Sequence, residues 1–209
     1  MEGGGVSSQT LFTDIGDYQR LDEIFTIGGA SVFTLFLVTI ATRIGNLGGL
    51  PLNTYFDMFG LEGVLSNTML LVILIQIARY LYTTLYTSGG KAWSPLVFLC
   101  FVLIAQVAHD VLFYYGVINV VPSGVNEMID VLRSYAKDNS YKATIGHVVL
   151  IVITSVVAMI MNDLSIIARV LGVAVILYMF PYVLSIVSKK PAPPSPPPKK
   201  EEFVDHRFR

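Results

Sequence analysis

His109 and Asp110 stand side by side within a long apolar run, and His147 lies near the start of another. Ionisable side chains in such runs are costly in lipid and are functional candidates by default. A carboxylate there either takes up a proton or finds a partner. Asp110 is fifteen residues beyond Pro95, about 22 Å along a helix at 1.5 Å per residue. That is past the centre of its span, on the side where His147 begins the next. Two chemistries suit this group: a buried structural pair between helices, or a proton relay. Gln76 and Gln106 extend the intramembrane polar cluster and are expected to face each other as packing glue between neighbouring helices. Arg79 lies near the end of its apolar run among Tyr80, Tyr82 and Tyr86, and is expected to snorkel toward the interface.

No other pattern points to catalysis. The chain has no glycine-rich phosphate loop, no nucleophile triad and no metal-spaced group of His, Cys and Glu. His109, His147 and His206 are too scattered for a metal site, and Cys100 is the single cysteine, which excludes an internal disulfide framework. The expectation is a protein that is not an enzyme and carries no cofactor or metal.

The elements that must position these residues are membrane helices. The apolar residues come in five blocks, about 24–42, 64–86, 93–120, 143–161 and 165–187, each near the ~20 residues a spanning helix requires. Continuous runs exclude an outer-membrane barrel, whose strands alternate over about ten residues. The expected fold is an all-α membrane bundle of about five spans, with short amphipathic surface helices and a Pro-rich disordered tail. Its parts are an amphipathic acidic segment (1–23), the bundle (24–188) and a charged tail (189–209). A chain of 209 residues that is 54% hydrophobic and 14% charged cannot be an ordinary soluble domain. A net charge of −1 excludes a basic nucleic-acid binder.

Five spans place the termini on opposite sides. Ten of the 14 Lys and Arg residues fall on the side of the C-terminal tail, which the positive-inside rule makes cytosolic, with the N-terminus outside or lumenal. The first 23 residues are acidic, so no cleavable signal is expected and the first span serves for insertion.

Three connecting stretches carry helical stripes: Leu11, Ile15, Tyr18, Leu21 and Phe25; Leu52, Tyr55, Phe56 and Phe59 after Pro51; and Val125, Met128, Ile129, Leu132 and Ala136. The third predicts a helix over 124–138 with Ser123 as its cap, lying on headgroups or packed against neighbouring loops. Pro181 is expected to bend the fifth span. In the tail, KKPAPPSPPPKK holds six of the ten prolines and predicts a stiff rod of polyproline type. Pro194, Pro197 and Lys199 match a loose PxxP ligand, and Phe203 and Phe208 are apolar anchors in the charged segment beyond it. The rod is either a spacer or a docking motif.

The stretch HDVLFYYGVI, followed by MIDVLRSYAKDNSYKA and a closing helical hairpin at MNDLS, resembles small multi-span proteins of large double-stranded DNA viruses. The residues concerned are His109, Asp110, Phe113, Tyr114, Ile129, Asp130, Val131, Tyr135, Ala136, Lys137, Asp138, Asn139, Tyr141, Lys142 and Ala143. The likeness covers about 93–187, and the Pro-rich tail also looks like those of algal large-virus proteins. It implies a minor structural protein of the lipid membrane beneath an icosahedral capsid, with the bilayer and capsid or other virion proteins as partners. It implies no catalytic residues. A host organelle membrane used in assembly, and a homo-oligomer, are compatible with the same reading. A small proton-coupled transporter or channel built on Asp110, His109 and His147 is the rival, and would need a continuous wet path lined by Gln76, Gln106 and Asp110.

Overall fold

Apolar length and turn chemistry fix where each helix starts and stops. The computed structural model describes residues 12–139 and 141–187. Its helices are α1 (Glu23–Gly45), α2 (Gly49–Leu85), α3 (Pro95–Phe113), α4 (Glu127–Asn139), α5 (Tyr141–Met161) and α6 (Ile166–Leu184). A π-helical turn, Tyr114–Ile118, continues α3. No strand occurs among the described residues. Five helices are long and apolar enough to cross a membrane: Glu23–Gly45, Gly49–Gly89, Pro95–Ile118, Tyr141–Met161 and Ile166–Leu184.

Local signals explain the ends. Asn46, in the left-handed conformation at φ 56°, stops α1. Ser94 caps α3 through the Val97 amide, with Pro95 at the first helical position. Ser165 caps α6 through the Ala168 amide, which makes the α5–α6 connection tight. Hydroxyls within the helices turn back on their own carbonyls: Ser31 donates to Ile27 O, Thr34 to Ala30 O, Thr68 to Val64 O and Thr154 to Leu150 O. Such back-bonding satisfies a polar group without an interhelical partner.

α1 lies at the centre of the bundle, against α2, α5 and α6, while α3 packs on α2 and α5. Gly29 makes the α1–α6 approach possible, since a β-carbon there would lie 2.8 Å from Val173 Cγ2. α6 is the outermost helix, with Ile167, Val170, Leu171, Val175 and Tyr178 exposed. Pro181 falls in its last turn, where its missing N–H removes one intrahelical hydrogen bond.

Two of the amphipathic stretches take forms other than simple surface helices. Leu52 to Phe59 is helical and joins the following span through Gly60, whose φ 44° and ψ −121° break the helix between them. Tyr55 reaches across this break, donating to Gly63 O at 3.1 Å and accepting from Asn67 Nδ2 at 3.2 Å. In the Leu11–Phe25 stripe, the described residues make no helix before Glu23. Asp14 and Asp17 each accept a backbone amide two residues on, from Gly16 and Gln19, which holds the chain in turns. This segment folds over one end of the bundle, where Trp93 Nε1 donates to Phe12 O and Thr83 donates to Gly16 O.

The third stretch is α4. It begins after Asn126, whose side chain accepts from the Ile129 amide at 3.0 Å, so Asn126 rather than Ser123 is the cap. The helix packs on α2, α5 and the π turn, and Met128, Val131 and Leu132 meet the core. Arg133 fastens it, donating to Ile118 O at 2.9 Å and Val121 O at 2.5 Å while paired with Asp130 at 2.5 Å. α4 is therefore a cap on the bundle end, seated on helices rather than on loops.

Candidate functional site

Two groups of hydrogen-bonded polar residues stand out, besides hydroxyls that bond their own helix's carbonyls. One group surrounds Arg79 and the other surrounds Asp110.

Arg79 sits one turn and a half before the end of α2 with a side chain that is 0% exposed. Its Nη2 lies 2.5 Å from Glu23 Oε2 and also donates to Asp17 O and to Arg20 O. Its Nη1 donates to Gln76 Oε1 at 2.7 Å. Glu23, itself 1% exposed, takes Arg20 at 2.6 Å and Asn162 Nδ2 at 3.2 Å on its other oxygen. Arg169 joins through Thr26 Oγ1 at 2.5 Å and Asn162 Oδ1 at 3.4 Å. The N-terminal segment, α1, α2 and the α5–α6 turn thus meet in one network.

This corrects the expectation for Arg79. It does not snorkel, because residues 12–22 close over its end of the bundle and bring it carbonyls and a carboxylate. Gln76 is likewise drawn away from Gln106, since the i, i+3 spacing on one helix puts its amide oxygen against Arg79. Glu23, Asn162 and Arg169 were missed as site residues. Glu23 looked like the last member of an acidic tail, although it also opens the first span, where a buried arginine on another helix would seek it.

At the other end, Asp110 Oδ1 accepts from Gln106 Nε2 at 2.8 Å and lies 3.3 Å from His109 Nδ1. Its Oδ2 lies 3.3 Å from His147 Nδ1. Gln106 and Asp110 are one turn apart on α3, and His147 comes from α5. The structure therefore brings Gln106, His109, Asp110 and His147 together and leaves Gln76 out. The π turn follows directly after this part of α3, and single π turns often accompany functional sites. Tyr135 of α4 stacks obliquely near His147, at 6.4 Å between ring centres, and burial pushes its phenol up from the usual range.

These four residues border a cavity of about 610 Å³ roofed by α4. Its walls include Leu71, Ile118, Leu132 and Leu150, with Tyr55 and Asn67 at the α2 side. A third polar group ties the α1–α2 corner: Arg43 meets Asp57 at 2.6 Å, and Asn53 donates to Asn46 Oδ1 at 2.9 Å. No group of His, Cys, Asp and Glu among the described residues is arranged to hold a metal ion. The tail residues Pro194, Pro197, Lys199, Phe203 and Phe208 lie outside the described residues.

Among the described residues the fold is all-α, with five helices long and apolar enough to cross a membrane and buried polar networks tying them together. Compared with known proteins, the chain matches no family model, no curated protein and no solved structure.

Proposed function

We propose that this chain is a structural multi-pass protein of a viral internal membrane, linking the bilayer to the capsid layer or assisting its assembly. One observation carries the structural half of this reading: the side chains of each network are spent on one another, and Thr154 and Ser155, buried between them on α5, donate back to the helix's own carbonyls at Leu150 and Ile151. His147 and Asn162 stand near opposite ends of α5, about 22 Å apart at 1.5 Å per residue. Between those ends Leu71, Leu74, Ile75, Val102 and Ile151 are all buried. A proton-coupled transporter needs a polar route joining such clusters, and Gln76, which would have extended it, is occupied by Arg79. Rigidity is what both networks supply.

The viral setting rests on the resemblance over 93–187. In it the N-terminus is lumenal or outside, in keeping with the ten Lys and Arg on the tail side. The tail then meets virion proteins, with Phe203 and Phe208 as anchors. Quantitative mass spectrometry of purified particles tests the role, with a stoichiometric amount expected and absence overturning it. Proton-coupled flux from the unmodified chain in liposomes, abolished by Asp110→Asn, would replace this reading with the transporter.

A further inference from the structure

The cavity beneath α4 has a chemical character that a purely structural bundle does not call for. Its volume, about 610 Å³, is within the roughly 300–1,000 Å³ range of small-molecule sites. Asp110 is the only formally charged side chain in its lining among the described residues, and no Lys or Arg borders it. The groups that touch Asp110 present acceptors to the cavity, while Ser66, Asn67, Thr144 and the tyrosine hydroxyls of the lining add groups that can donate or accept. Each imidazole directs Nδ1 at the carboxylate, so in the neutral ring Nε2 is left as an acceptor. Gln106 gives one amide hydrogen to Asp110, which leaves Oε1 as a further acceptor beside its second N–H. Asp110 Oδ2 lies 3.3 Å from His147 Nδ1, and the carboxylate is 15% exposed. Leu71, Leu132 and Leu150 add apolar surface to the lining.

We infer that this cavity binds the head of an amphiphilic primary amine, its ammonium on Asp110 and its alkyl chain along the apolar part of the lining. A primary ammonium brings three donors and a positive charge to a cluster of acceptors with one negative charge, and charge-assisted bonds of this kind are the strong ones. A phosphate or sulfate head would meet a carboxylate and neither Lys nor Arg. A quaternary ammonium has the charge but no donors, and an alcohol has one donor and no charge. The amine comes from a membrane aminophospholipid or from a free long-chain amine. Both present the same group to Asp110.

The test is photolabelling of the full chain in phosphatidylcholine nanodiscs with an undecyl amine carrying a diazirine in its chain, adducts being mapped by mass spectrometry. Matched probes have trimethylammonium, hydroxyl or sulfate heads. Saturable labelling of α4 and α5 around Leu132 and Leu150 is expected with the amine, about tenfold above the other heads. Asp110→Asn is expected to remove that preference. Ala136→Trp, which fills the cavity from α4 and leaves Asp110 in place, is expected to abolish labelling, so the result does not depend on one variant folding. Competition by phosphatidylethanolamine supports the site with a lipid amine as occupant, and binding that this lipid leaves unchanged supports it with a free amine. Equal labelling by amine and alcohol, or a preference that survives Asp110→Asn, overturns the inference.

Discussion

Arg79 and Glu23 form a pair in which both charges have left solvent, and such a pair behaves differently from an exposed one. Removing one partner strands the other, which costs about 3–5 kcal/mol in buried settings. Arg79→Ala should therefore lower stability by roughly that amount, read as thermal unfolding in mild detergent, with Arg20 keeping part of the compensation for Glu23. The double variant Glu23→Gln with Arg79→Gln should lose less than the sum of the single changes, because no net charge is left buried. An additive result would show that the two side chains do not act as a pair. Asp110 offers the contrast. Asp110→Asn keeps hydrogen bonding and should be mild, whereas Asp110→Leu leaves Gln106 and His147 without their acceptor and should cost about 1–3 kcal/mol. Equal losses from the two would remove the carboxylate's hydrogen bonds from the account.

At the scale of elements, the spans were legible because length and hydropathy alone decide them. α4 was legible as well, since Met128, Leu132 and Ala136 keep a strict helical spacing. Its seat was not, because Arg133 finds Ile118 O and Val121 O only after the π turn has presented those carbonyls. The Leu11–Phe25 stripe misled for a local reason: Asp14 and Asp17 outcompete the helix for the amides that follow them. Gly60 was visible only as one glycine among several. Its conformation, φ 44° with ψ −121°, is closed to other residues, so Gly60→Ala should destabilise by about 1–3 kcal/mol even though the space around it is open. Gly29→Leu tests the opposite cause. There the backbone is helical and the obstacle is Val173, so pairing it with Val173→Ala should recover part of the loss in an unfolding assay, while Gly60→Ala should have no such rescue.

For the whole molecule, the five apolar helices set two ends, one sealed by Arg79 and residues 12–22, the other capped by α4. Ser88 and Ser134 are exposed at these ends. In a Cys100→Ser background, Ser88→Cys and Ser134→Cys should react with an impermeant thiol reagent from opposite sides of intact membranes. Labelling from one side would mean that α3 does not cross the membrane between them. The number of long apolar helices was readable in the sequence, but the assignment of polar residues to networks was not. Gln76 and Gln106 are alike in type and depth, and only the position of Arg79 three residues from one of them separates their fates. Glu23 and Arg79 are 56 positions apart, and nothing local to either announces the other.

That separation along the chain sets an order of events during synthesis. Glu23 and Arg79 emerge with the first two spans and can meet as soon as α2 is in place. Asn162 and Arg169, which complete the same network, arrive about 80 residues later, roughly 4–16 s at ~5–20 residues per second. For that interval the half-built bundle carries a carboxylate short of one donor, and α1 has an open flank where α5 and α6 will dock. The last hairpin is thus a closing piece, and a nascent chain stalled before it would be the form most exposed to quality-control proteases.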